Sequence, residues 1–349
     1  MGKNSRFSVI IPVYNRPEEV AELLQSLETQ TERDFEVIIV EDGSSLTCRD
    51  VVSVHSNRLD ITYLEKNNSG PGPSRNYGAE KAKGEYLIIL DSDVVVPPTY
   101  FEEISRELGT EPCDAFGGPD KAHSSFTPTQ RAISYSMTSF LTTGGIRGGK
   151  KKLDKFYPRS FNMGIRREAF LSIGGFSHMR FGEDIDLSIR ILKAGFSSRL
   201  FPGAWVWHKR RTDFLKFFRQ VYNSGIARIN LFKKYPESLK AVHLLPALFT
   251  LGSVALVLLS AVGRILMEYD DVDKWYWLCA APWIPLILFS LAVMLDSAIR
   301  NHSLKIGFLS VAAAFVQLGG YGLGFIVAWW RRLVLGKNEF NAFENTFYK

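Results

Sequence analysis

The stretch Tyr86-Leu-Ile-Ile-Leu90, followed by Asp91-Ser92-Asp93, decides how this chain is read. Five apolar residues without alternation suit a strand covered on both faces, the kind found in parallel sheets. Two carboxylates, two residues apart, stand where that strand stops. Phe7–Val13 and Glu36–Val40 are apolar runs of the same kind, and Ile61–Leu64 is a further strand. Between them, Pro17–Leu27 places Val20, Leu23, Leu24 and Leu27 at helical spacing, with Pro17 at the start. Ser74–Ala82 and Thr99–Leu108 are helical between polar boundaries, and a short helix is expected over Glu168–Ile173. The alternation predicts an α/β domain with a mostly parallel sheet and helices on both faces. Ligands of such sheets sit beyond the carboxyl ends of the strands. The first strand ends in Pro12-Val13-Tyr14-Asn15, the second in Glu41-Asp42-Gly43-Ser44, the fourth in Asp91-Ser92-Asp93. Two acidic clusters therefore converge on one crevice.

Composition bounds the rest. The chain has 349 residues, 46% hydrophobic and 22% charged, which excludes a disordered chain and fits two domains or one domain plus a membrane region. Cys48, Cys113 and Cys279 are too few and too scattered for a disulfide framework or a Cys-rich zinc site. Of the net charge of +6, the segment 209–240 carries the excess, with nine Lys/Arg against two Asp/Glu. A nucleic-acid footprint would be broader, so no nucleic-acid partner is expected.

Three uncharged stretches follow. Leu244–Gly263 has 20 residues, Trp275–Leu295 has 21 and Ile306–Trp330 has 25. Each is long enough to cross a bilayer, and Trp275, Tyr276, Trp277, Trp329 and Trp330 stand at ends where interfacial aromatics belong. Gly319, Gly320, Gly322 and Gly324 suit close helix packing. Met1–Arg6 is polar and lacks the features of a signal peptide, so the part before the spans is expected in the cytoplasm. The loop Arg264–Lys274 is then outside and acidic, through Glu268, Asp270, Asp271 and Asp273. Three full spans leave Arg331, Arg332 and Lys337 outside, against the positive-inside tendency, so one stretch re-entering or lying in the interface is the alternative. The implied location is the inner membrane, multi-pass. Asp213–Lys234 is an amphipathic helix with Phe214, Phe218, Val221, Ile229 and Phe232 on one side and Lys216, Arg219, Asn223 and Lys233 largely on the other. Beside Lys209-Arg210-Arg211 it reads as a helix lying against membrane lipids, with a soluble core helix as the alternative.

Five motifs in order carry a resemblance. They are Phe7-Ser-Val-Ile-Ile-Pro-Val-Tyr-Asn15, Val40-Glu-Asp-Gly-Ser44, Gly70-Pro-Gly-Pro-Ser-Arg-Asn76, Gly84-Glu-Tyr-Leu-Ile-Ile-Leu-Asp-Ser-Asp93 and Gly182-Glu-Asp-Ile-Asp-Leu187. Together, over about residues 7–210, they resemble a membrane-anchored bacterial glycosyltransferase of family 2 with a GT-A nucleotide-sugar fold. The resemblance implies a domain over 1–208, an interfacial segment over 209–242, spans over 243–335 and a polar tail over 336–349.

It also implies roles. Pro12 and Tyr14 line a nucleobase pocket, and Asp42 with Glu41 accepts hydrogen bonds from the base. Most relatives carry two Asp there, so Glu41 is a departure that leaves open which of the two makes the contact. Arg75 faces the nucleotide or its phosphates, and Asp91 contacts the nucleoside. Asp93 binds Mg²⁺ or Mn²⁺ bridging the diphosphate, with His208 reaching that ion or the diphosphate. Asp184 is the general base that deprotonates the acceptor hydroxyl, with Glu183 as its orienting neighbour. Acidic residues at a helix start also favour its N-terminus without any catalysis. Asn162 is expected to touch the donor sugar or the acceptor. The Gly144–Lys152 stretch is either a lid over the diphosphate or a solvated loop.

The expected function is inverting, metal-dependent transfer of a sugar from a nucleotide-diphosphate sugar to a lipid-linked or oligosaccharide acceptor, with a polyprenyl-phosphate sugar synthase as the alternative. A processive synthase fits less well, because the Gln-x-x-Arg-Trp motif is absent. A nucleotidyltransferase would show a Gly-rich, Lys/Arg-bearing loop after the first strand, where Pro-Val-Tyr-Asn-Arg stands. A silent scaffold would have lost acidic motif residues, and all are present.

Overall fold

The structure, a computed structural model, describes residues 5–121, 126–144, 156–209, 212–269 and 274–343. The chain forms two compact units. The first holds Met1–His123 and Lys150–Lys209. Its strands are β1 (Phe7–Val13), β2 (Phe35–Asp42), β3 (Ile61–Lys66), β4 (Tyr86–Leu90), β5 (Val94–Val95), β6 (Ala115–Gly117), β7 (Asp120–Lys121), β8 (Asn162–Arg166), β9 (Ser198–Leu200) and β10 (Val206–His208). Its helices are α1 (Pro17–Glu28), α2 (Arg49–His55), α3 (Pro71–Lys81), α4 (Tyr100–Thr110), α7 (Arg167–Ser172) and α8 (Glu183–Lys193).

Seven strands form one sheet in the order β3-β2-β1-β4-β8-β6-β9. The first four run parallel, and β8 runs antiparallel to both its neighbours. Period-two alternation sends Val9 and Ile11 into one apolar cluster and Ile10 into another. Both faces of the sheet are therefore covered, which is why these strands are continuously apolar. The chain leaves β1 for β2 on one side and returns to β4 on the other. That reversal opens a crevice at the carboxyl ends of β1 and β4. A small second sheet, β5-β10-β7, lies just past the end of β4 and carries His208 opposite Val94.

The second unit contains Ser124–Gly149 and Arg210–Phe347. It comprises α5 (Pro128–Thr138), α6 (Phe140–Thr143), α9 (Phe214–Lys234), α10 (Leu245–Tyr269), α11 (Lys274–Ala280), α12 (Trp283–Asn301) and α13 (Leu304–Trp329). Three helical stretches are long and apolar enough to cross a membrane: Leu245–Tyr269, Trp275–Asn301 and Leu304–Val334.

Two expectations need correcting. The first domain is not continuous over 1–208, because α5 and α6 belong to the helical unit. Ala132, Ile133 and Met137 of α5 are buried in one cluster with Phe217, Val221, Ile306 and Ala313. A period of three to four residues shows that a face is apolar, not what covers it. The same holds for α9. Its apolar face is packed on α13 so closely that a Cβ on Gly324 would clash with the Tyr222 carbonyl oxygen. Asn223, assigned to the polar side, is fully buried and exchanges hydrogen bonds of 2.9 Å with both the amide and the carbonyl of Ala342. Arg210, Arg211, Asp270, Asp271, Asp273 and the proposed lid over 145–152 lie outside the described residues.

Candidate active site

The crevice is built from the ends of β1, β2 and β4, the start of α8 and the end of β10. Pro12 and Tyr14 flank Val13 at the end of β1, both half-buried. Asn15 follows in the left-handed region (φ 53°), a conformation Asn tolerates. Its backbone amide donates to Ser44 Oγ at 2.8 Å, and its side chain accepts from Leu46 N at 2.9 Å. These bonds lock the end of β1 to the turn after β2.

Glu41 and Asp42 at the end of β2 are both buried. Glu41 accepts from Ser44 Oγ, from the amide and thiol of Cys48 at 3.0 Å each, and from the Tyr63 hydroxyl at 3.0 Å. Burial, followed by the nearby Glu41 charge, pushes the Cys48 thiol and the Tyr63 hydroxyl well above their usual ranges. The longer Glu side chain thus reaches the start of α2, which accounts for the departure from a second Asp. Asp42 turns the other way. It pairs with Lys66 at 2.7 Å and accepts the amides of Ser69 at 2.9 Å and Gly70 at 2.8 Å, ordering the entry to α3.

Arg75, on α3, is 3% exposed. Its guanidinium donates to Asp91 at 2.7 Å and to Glu183 at 3.2 Å, with the Phe176 ring 5.1 Å away. Arg75, expected to face the nucleotide, ties together two acidic motifs. Burial opposes its charge, yet the two carboxylates hold its pKa above the ordinary value. Glu183 responds the opposite way. Burial, then the charge of Asp184, raises its carboxyl to about 7 despite Arg75.

Asp184 is less buried than Glu183. Its Oδ2 accepts from Arg159 Nη1 at 3.2 Å and its Oδ1 from the Ile185 amide at 2.8 Å. Both acidic residues occupy the first turn of α8, whose preceding Gly182 has φ 81°. That left-handed turn aims the two carboxylates, and an L side chain there would be strained.

Asp91, Asp93 and His208 each bring one ligand atom within 4.8 Å of the other two. Asp93 also pairs with Arg16 at 3.1 Å, and His208 Nε2 lies 3.3 Å from Asp93 Oδ1. The Phe161 ring stacks on the imidazole at 4.8 Å, and His208 Nδ1 is buried with no hydrogen-bond partner among the described residues. Two carboxylates and an imidazole suit Mg²⁺ or Mn²⁺, the latter tolerating nitrogen more readily.

Asn162 does not line the crevice. It is 2% exposed, accepts from the Tyr100 hydroxyl at 2.6 Å and donates to the Ala204 carbonyl at 2.8 Å. The oxygen and the nitrogen of its amide are thus both engaged inside the fold, tying β8 to α4 and to the segment before β10, where a sugar contact was expected. Arg16, Arg159 and Phe161 went unread in the sequence. Arg16 ends the Pro-Val-Tyr-Asn-Arg motif and was legible; Arg159 and Phe161 sit in a turn with no pattern of its own.

Residues 8–174 match the family model "Glycosyl transferase family 2". An uncharacterized glycosyltransferase of Haemophilus influenzae is 33% identical over 195 residues, 53% of this chain and 62% of that protein. The Staphylococcus aureus poly(ribitol-phosphate) beta-N-acetylglucosaminyltransferase TarS is 39% identical over 92 residues, 25% of this chain and 16% of that protein. The chain thus spans less than two thirds of these curated relatives. Among solved structures, the mannosyltransferase PcManGT from Pyrobaculum calidifontis, in complex with GDP-Man and Mn²⁺, superposes with a TM-score of 0.59. It is 18% identical, and the match covers 90% of this chain and 87% of that one, a likeness of GT-A fold. Over residues 8–174, within its N-terminal part, this chain is therefore similar to glycosyl transferase family 2.

Proposed function

We propose that the chain is a membrane-anchored, inverting glycosyltransferase that takes its sugar from a nucleotide-diphosphate donor and passes it to a lipid-linked or oligosaccharide acceptor. The observation that carries this reading is the Asp91, Asp93 and His208 cluster at the strand-order reversal of the sheet, beside the acidic first turn of α8. The names of the relatives agree with it: one is an N-acetylglucosaminyltransferase, and one solved structure holds GDP-Man and Mn²⁺.

In this reading Pro12, Tyr14 and Asp42 border the base, and Asp91 meets the nucleoside. Asp91, Asp93 and His208 would hold Mg²⁺ or Mn²⁺, which when bound offsets the charge that develops on a departing diphosphate. Asp184 takes the proton of the acceptor hydroxyl as that oxygen attacks the anomeric carbon from the face opposite the leaving group. A single displacement with one base inverts that carbon. Glu183, held by Arg75, orients the turn and the incoming acceptor. Three helices of membrane-spanning length and the basic segment before them support a membrane-associated acceptor; we assign the catalytic part to the cytoplasmic side of the inner membrane. A polyprenyl phosphate is the simplest acceptor of this class.

The test is transfer across a panel of nucleotide sugars, with membrane lipid extract as acceptor and with Mg²⁺, Mn²⁺ or excess chelator. Transfer of one sugar, lost in chelator and in Asp93→Ala, is expected. Full activity in chelator would remove the ion from the reading, and labelling of soluble acceptors alone would remove the lipid.

A further inference from the structure

The turn from Pro158 to Asn162 joins the two halves of the crevice. At one end the Pro158 carbonyl accepts from Ser188 Oγ of α8 at 3.1 Å. At the other, Asn162 is fixed by Tyr100 and Ala204, and its amide closes on the Arg159 carbonyl at 3.0 Å. Phe161 is stacked on His208 of the candidate metal cluster. The backbone is therefore pinned, while the Arg159 side chain remains 30% exposed, its guanidinium on Asp184 at 3.2 Å. The residue with the base role is thus engaged through both oxygens, one by its own helix and one by Arg159. An acceptor hydroxyl must compete with that guanidinium for Oδ2.

We propose that Arg159 is a phosphate-binding residue of the donor site, parked on Asp184 until a nucleoside diphosphate arrives and then transferred to it. This rests on the donor class proposed above. Phosphate oxygens accept bidentate hydrogen bonds from the planar guanidinium fork as well as a carboxylate does, and carry more charge. Arg159 stands two residues before Phe161, whose ring stacks on His208 of the cluster that would bind the diphosphate's ion in the reading above. Arg75 is unsuited to the exchange, since it is buried and tied to two carboxylates at once. The exchange leaves Asp184 Oδ2 open to the acceptor only when a donor is in place, which couples donor binding to the availability of the base and restrains transfer to water.

The test measures binding of UDP and GDP to the full chain in detergent with Mn²⁺, with uridine and guanosine as phosphate-free controls. Arg159→Gln should lose about tenfold or more in diphosphate affinity, the size of one charge-assisted contact, with nucleoside binding unchanged. Arg159→Lys should retain most of it. Asp184→Asn, which removes the competing charge, should bind the diphosphate about two- to fivefold more tightly. An Arg159→Gln protein that binds the diphosphate as the parent does would overturn the proposal and leave the donor class standing. A parent that binds neither diphosphate more tightly than its nucleoside would overturn both. Where Arg159→Gln does not fold, Asp184→Asn decides alone, and unchanged or weaker diphosphate binding sinks the proposal.

Discussion

At the scale of single residues, the site separates two adjacent acids by what surrounds each. Asp184 is hydrogen-bonded at the edge of the crevice, and Glu183 is sunk against Arg75. Asp184→Asn keeps the shape but cannot take a proton, so transfer should fall by about 10²-fold or more with the nucleotide still bound. Near-normal turnover in that variant would strip Asp184 of the base role. Glu183 makes a different prediction. Its carboxyl is raised from 4.5 to about 7 in the fold, so the folded chain holds a proton that the unfolded chain releases. The stability this group contributes is complete below about pH 4.5 and is lost as pH rises through about 7. Glu183→Gln removes that dependence. Its melting temperature should gain on the parent's between pH 5 and pH 8, and a constant difference would mean that Glu183 titrates normally.

At the scale of elements, the start of α8 carries the most consequence for function. Gly182 reaches φ 81° so that the helix begins with both carboxylates facing the site. Gly182→Ala should cost about 1–2 kcal/mol through the left-handed backbone. It should lower turnover more than nucleotide affinity, because the nucleotide-bordering residues lie on other elements. Denaturant unfolding read beside steady-state kinetics checks both parts. An unchanged kcat with a raised KM would place the turn outside the chemistry.

For the whole molecule, the informative finding is that the segment between β7 and β8 leaves the α/β unit and returns. Helix α5 buries Ala132, Ile133 and Met137 in the helical unit. A chain cut after Lys209 therefore exposes an apolar helix face, and contiguous exposed apolar surface drives association. We expect that fragment to aggregate, and to become soluble when Ile133 and Met137 are replaced by Gln or Ser. Size-exclusion chromatography distinguishes the two. A monodisperse unmodified fragment would show that α5 has no need of its partners.

What the sequence determined by itself is the local physics. Continuous apolar runs marked β1, β2 and β4, because a strand covered on both faces has no polar side to show. Asp91, Asp93 and the Glu183-Asp184 pair were legible because each stands at the end or start of an element whose period is plain. Length and hydropathy gave the three membrane-length helices. The tertiary structure decided everything that depends on which partner a side chain meets. Asn162 read as a sugar or acceptor contact and Asn223 as a residue of a polar helix face; both are buried, since an amide is placed by the groups that satisfy it and those lie 42 and 119 residues away. Arg75 read as a ligand contact, and the fold adds what the sequence could not show, its tie to two carboxylates 16 and 108 residues distant. Arg159 carried no signal at all, because a turn residue acquires its chemistry only when the fold brings Asp184 to it, 25 residues along the chain. Periodicity reports the face a residue takes; only packing reports what that face meets.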